Sequence, residues 1–146
     1  MRDILLHVLR TLAISAVLAV AVAGCGASDT DKARSAAQGY VKALGKGDGK
    51  GTCAHMTTGL QKRFSSAVTF ANPELSGDCA KLMQAALDSI GPEQLTQFGA
   101  AKIGEVKAKG STGTFVYTVR GARINGRVAR EGGSWKVSCC VPGQDG

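Results

Sequence analysis

The pattern of apolar and polar positions divides the chain into three regimes. Residues 11–23 (TLAISAVLAVAVA) are continuously apolar and uncharged, and they follow a short segment that carries Arg2 and Arg10. From about residue 32 to residue 90, apolar positions recur every three or four residues, which is the period of helices buried on one face. Beyond Pro92 the apolar positions alternate singly, which is the period of half-buried strands.

In the helical regime, Ala33, Ala37, Tyr40, Val41 and Leu44 fall on one face of a helix over Lys32–Leu44. Asp29, Thr30 or Asp31 can cap it, and Gly45 and Gly47 stop it. A short second helix around Thr52–Met56 turns Cys53 and Met56 inward, and a third, capped by Thr57 or Thr58, puts Leu60 and Phe64 on the same side. Residues 65–78 read as an irregular crossing in which Val68 and Phe70 are available to pack. Asp78 then caps a helix from Cys79 to about Ile90, whose stripe is Cys79, Leu82, Met83, Ala86, Leu87 and Ile90, and Gly91-Pro92 ends it.

In the alternating regime, residues 101–109 and 113–120 predict strands joined at Gly110-Ser111, with Phe115, Tyr117 and Val119 on one side. Asn125-Gly126 predicts a hairpin turn linking a strand that ends at 124 to a short strand at 127–131. Gly132-Gly133 supplies the next turn, and Ser134–Val141 the last strand, with Trp135, Val137 and Cys139 on one face. Helices first and an antiparallel meander afterwards predict an α+β domain, its N-terminal helices packed on a curved C-terminal sheet.

The apolar run ends in Val22-Ala23-Gly24-Cys25, which resembles the lipobox of bacterial lipoproteins. That resemblance implies lipidation of Cys25 and cleavage ahead of it, so that Cys25 becomes the first residue and carries acyl chains. The run is shorter than the roughly 20 strongly apolar residues of a membrane span, so a signal peptide is the expected reading. The organisation expected is a leader at 1–24, lipidated Cys25 with a short tether to residue 31, a domain over 32–142 and a tail at 143–146. An acyl chain contributes about 0.8 kcal/mol per buried methylene, so stable anchoring takes two or more chains.

Composition adds a compartment and a charge. The net charge of the 146-residue chain is +7, and the leader contributes one of these charges, so the remainder favours anionic surroundings such as phospholipid head groups or cell-wall polymers. Five cysteines are an odd number, and lipidation of Cys25 leaves four. In an exported protein these are read as disulfide formers, and the expected bridge joins Cys53 to Cys79. Cys139 and Cys140 are left to stay free, to bond elsewhere or to form a vicinal pair. Metal binding is not expected, since one histidine beyond the leader and scattered cysteines give no ligand cluster.

A second resemblance rests on the helix AAQGYVKALGKGDGKGTCAHMT, the helix that begins at Cys79, and Gly-Gly-Ser-Trp-Lys-Val at 132–137. In this order the parts look like the NTF2-like cone fold, and more narrowly like small secreted lipoproteins of high-GC Gram-positive bacteria. The resemblance implies a cone whose mouth takes a small ligand, with Tyr40, Phe115, Tyr117 and Trp135 as its candidate lining, although an aromatic face such as Phe115 and Tyr117 is more often sheet core than ligand pocket. It also leaves open a hydrolase or isomerase using a polar group in that cavity.

No residue combination specifies catalysis. His55 and Asp48 are read as a surface histidine and a helix cap, and no phosphate loop or nucleophile elbow is present. No cofactor is expected. Arg120, Arg123, Arg127 and Arg130, joined by Lys107 and Lys109, form a basic cluster that reads as a solvated strand edge or as a patch for an anionic surface. Nucleic acid is not an expected partner, because aromatic residues are not interleaved with these charges. The function expected is a membrane-anchored, extracytoplasmic, non-catalytic lipoprotein that binds a small ligand or a protein.

Overall fold

The computed structural model describes residues 26–139, so the expected leader, Cys25 and the chain from Cys140 onward lie outside the described residues. Helix α1 spans Asp29–Gly45. It begins a turn earlier than the apolar stripe indicates because Ser28 caps it. The Ser28 hydroxyl accepts the Asp31 N–H at 3.1 Å, and the Asp31 carboxylate accepts the Ser28 N–H at 3.2 Å. Gly45 is the last residue of the helix and Gly47 follows at φ 68°, so the helix stops where the two glycines were expected to stop it. A Cβ at Gly45 would lie 2.2 Å from Gly99 Cα, so the residue is a point of backbone contact.

Helix α2 (Gly49–Ala54) is capped by Asp48, which accepts the Gly51 N–H at 2.8 Å. Thr57 caps α3 (Thr58–Ala71), and this helix runs through the first half of the stretch expected to be irregular. Val68 is partly buried, but Phe70, also expected to pack, is 91% exposed. Asp78 caps α4 (Cys79–Asp88) as expected. Pro92 then opens a further helix, α5 (Pro92–Gly99), which the expected change of period at that point missed. Proline is tolerated at a first helical turn, where its missing N–H would have no partner anyway.

The four strands β1 (Lys102–Lys109), β2 (Thr112–Val119), β3 (Ala122–Glu131) and β4 (Ser134–Cys139) pair antiparallel in sequence order as an open sheet. The expected Asn125-Gly126 hairpin is not present. Asn125 and Gly126 stand in mid-strand opposite Val116 and Phe115, and the chain turns at Arg120-Gly121, with φ of 52° and 80°. Two successive positive φ values are what a two-residue hairpin turn needs, and Arg120 tolerates one of them. A Cβ at Gly126 would lie 2.3 Å from Phe115 Cζ, so glycine is required there by the phenyl ring that covers it.

The inner face of the sheet places Val106, Phe115, Tyr117, Val119, Val128, Trp135 and Val137 against the helices. Ala33 and Ala37, fully buried on α1, let that helix sit close to the strands. Both free sheet edges are managed. Met56 bridges Val137, whose N–H donates to the His55 carbonyl at 2.8 Å, and Arg34 Nη1 donates to the Gly104 carbonyl at 2.9 Å. Glu131, near the β3–β4 turn, accepts the Thr58 N–H at 3.1 Å, so a carboxylate sits at the positive end of α3. The architecture is α+β, with five helices and a four-stranded antiparallel sheet among the described residues.

Candidate functional site

Tyr40 comes from α1, Phe115 and Tyr117 alternate along β2, and Trp135 opens β4; all four are buried in one core. Phe115 and Tyr117 share a face because they are two residues apart, and their rings stack with centroids 5.6 Å apart. Burial pushes the Tyr117 phenol up to about 12 and Tyr40 higher still, with Tyr117 adding to the effect on Tyr40. Both are therefore neutral hydrogen-bonding groups at any physiological pH and not bases. The Tyr40 hydroxyl and the Trp135 indole N–H are buried with no hydrogen-bond partner among the described residues. Each such group costs about 1–3 kcal/mol unless an acceptor meets it.

His55 is half-buried at the end of α2, not outward-facing as its helix position suggested. Its ring lies over Gly39, where a Cβ would come within 2.4 Å of the imidazole. Desolvation lowers its pKa below 6.5, Lys136 lowers it further, and Asp48 opposes both. The unfolded chain therefore holds the His55 proton more tightly than the folded one. The stability contributed by this site is complete above pH 6.5 and is lost as the pH falls below it. We expect the urea midpoint to drop between pH 7.5 and pH 5.0, and to drop less in His55→Asn; equal drops would remove His55 as the cause. Asp48 is occupied as the α2 cap, so the two do not form a catalytic pair.

A cleft between α3 and α4 is lined by Phe64, Val68, Leu75 and Ala86, with Asn72 and Ser89 as its polar members. None of its lining groups titrates, so acid–base chemistry has no residue there. No cluster of three or more metal-ligating side chains occurs among the described residues. The expected disulfide is present, joining Cys53 on α2 to Cys79 at the start of α4. Cys139 is also disulfide-bonded, so it is not a free thiol.

The basic cluster is regrouped by the register. Arg120 occupies the β2–β3 turn and donates to Gln97 of α5. Arg130 points to the helix side, where it pairs with Asp29 and lies 5.3 Å from the Trp135 ring. Arg123 and Arg127 are exposed on the outer face, opposite Thr118 and Thr114. Lys102 and Lys107 flank the same two threonines from β1, and Lys109 and Lys136 lie one row further along. Lys102 and Lys136 belong to this face although the sequence clustering missed them. Alternation along β1 and β4 was the signal that could have added them.

No helix among the described residues is long and apolar enough to cross a membrane. Comparison with protein-family models, with curated proteins and with solved structures found no match to this chain.

Proposed function

We propose that the protein is a lipid-anchored, extracytoplasmic binding module of the cell envelope, with an NTF2-like arrangement of helices on a meander sheet, and that it is not an enzyme. The observation that carries this reading is the Cys53–Cys79 disulfide, with the second disulfide at Cys139 beside it. Disulfides persist in oxidising compartments outside the cytoplasm, which agrees with the leader-like run and with the Val22-Ala23-Gly24-Cys25 motif. A binder is favoured over a hydrolase or isomerase because the interior tyrosines stay neutral and Asp48 is committed to a helix cap. An interior ligand, on this reading, would be a small molecule whose acceptor oxygens meet the Tyr40 hydroxyl and the Trp135 indole N–H, and the packed core would have to open to admit it.

Mass spectrometry of protein isolated from producing membranes should find a diacylated or triacylated N-terminal peptide beginning at Cys25. Thioether formation with the lipid's glyceryl group takes up the Cys25 sulfur, so non-reducing peptide maps should then pair Cys139 with Cys140. An intact Met1 terminus, or a Cys25–Cys139 peptide, would defeat the anchor. Native mass spectrometry of the same preparation should show a bound small molecule that Tyr40→Phe fails to retain; identical spectra for the two proteins would remove the interior ligand.

A further inference from the structure

The outer face of the sheet is not covered by any helix among the described residues, and its charge is one-sided. Six cations project from it, Lys102, Lys107, Lys109, Arg123, Arg127 and Lys136, against two carboxylates, Glu105 and Glu131. Lys107 pairs with Glu105 at 3.1 Å, and the Lys136 ammonium lies 3.7 Å from Glu131, which also accepts from Thr58, so the face keeps a net excess of four positive charges. The cations of β1 and β3 stand about 10 Å apart, two strand spacings, with Thr112, Thr114 and Thr118 between them as hydroxyl donors. Such a face repels a second copy of itself and presents no aromatic ring for stacking bases.

The two ends of the face differ in where they lie relative to the start of the domain. Asp29, at the start of α1, pairs with Arg130, and the Arg130 N–H donates to the Ser111 carbonyl at 2.8 Å. The β1–β2 and β3–β4 turns therefore lie at the end where the chain enters the domain. Cys25 precedes Asp29 by four residues, so a lipid on it is at most about 14 Å from this end. Lys107, Lys109, Arg127 and Lys136 occupy the near rows, whereas Lys102 and Arg123 occupy a row near Thr118, about 20 Å from Thr112 along β2.

We propose that the turn end of this face, through Lys107, Lys109, Arg127 and Lys136, rests on the anionic phospholipid head groups of the membrane that holds the protein. The inference rests on the anchored reading given above. Phosphates accept from the ammonium and guanidinium donors and from the threonine hydroxyls. The anchor makes the contact intramolecular in effect, so weak individual charges suffice. The interior Tyr40 and Trp135 groups face the opposite side of the sheet and stay clear of the bilayer.

The test uses full-length protein from producing membranes, reconstituted into vesicles of phosphatidylcholine alone or with one third phosphatidylglycerol. Acetylation rates of individual lysines are then read by mass spectrometry. Lys107, Lys109 and Lys136 should label about fivefold more slowly on the anionic vesicles, in line with the strength of a basic residue near an anionic leaflet, and 0.5 M salt should restore the rate. Lys50, Lys62 and Lys81 on the helices should not change. In Arg127→Gln the protection of Lys107 should weaken, whereas in Arg123→Gln it should persist.

Equal labelling on both vesicles, with the protein bound to each, would overturn the orientation and leave the anchor standing. Failure to bind either vesicle would remove the anchored reading and this inference with it. Protection by soluble polyphosphate but not by phosphatidylglycerol would overturn the bilayer in favour of a wall polymer.

Discussion

Replacing Cys53 and Cys79 together by alanine is expected to lower the unfolding free energy by about 3.5 kcal/mol. The bridge spans 26 residues, and the loop-closure entropy it removes from the unfolded chain corresponds to about that amount at room temperature. The closed loop contains the whole of α3 and the connection to α4, and α3 meets the sheet chiefly at β4. What holds α3 to the strands is polar and peripheral: Glu131 at its N-terminus and the Arg63 donation to the Ser138 carbonyl at 2.7 Å. Its buried apolar residues are Leu60 and Phe64.

The contact between α2 and α4 is close. A Cβ at Gly49 would lie 2.5 Å from the Gln84 backbone N, and the Gly49 N–H donates to Gln84 Oε1 at 3.0 Å. The double variant therefore keeps the register of these helices, and its loss comes chiefly from the freed unfolded chain. Urea unfolding followed by the emission of Trp135, the single tryptophan, measures the effect. A difference below about 1 kcal/mol would show that α2 and α4 hold the loop without the bridge, contrary to the closure argument.

The signals that could be read in the sequence were those whose physical cause is local. Asp48 and Asp78 cap helices because each carboxylate reaches an N–H three residues ahead, and nothing distant competes for it. Gly110 and the Gly132-Gly133 pair turn the chain at positive φ where they were expected to. The misread features answer to partners far away in sequence. Gly45 ends its helix as expected, but the local pattern did not show the second reason for glycine there, the α5 backbone that passes over it. Helix α5 itself is too short and too exposed to show a stripe; none of its residues is fully buried.

The candidate site follows the same division. The four aromatic residues were readable as one inward-facing set because alternation along β2 and β4 survives any choice of turn. The arginine cluster was not, because proximity in sequence says nothing about which face a strand residue takes. Arg123 and Arg127 are four apart and share the outer face, whereas Arg130 is three beyond Arg127 and falls on the helix side beside Trp135. Moving the turn from Asn125 to Arg120 also put Arg123 and Arg127, expected on two different strands, onto the single strand β3.

The pair that decides this register is Phe115 and Gly126, and its energetics should be measurable. Phe115→Ala is expected to cost about 4 kcal/mol, the usual loss for a fully buried phenyl ring that leaves a cavity. Gly126→Ala should cost about 2 kcal/mol alone, because its methyl meets three atoms of a ring that has no room to move. The same methyl placed in the Phe115→Ala background meets no ring and fills part of the cavity, so the second substitution should be close to neutral there. The coupling expected from the double-mutant cycle is therefore about 2 kcal/mol. If Asn125-Gly126 were instead the hairpin turn, the alanine would suffer from its positive φ whatever stood at position 115, and the two costs would add. Urea unfolding of the four proteins separates these outcomes: additive costs would place the turn at Asn125, and strong coupling requires the cross-strand contact between Phe115 and Gly126.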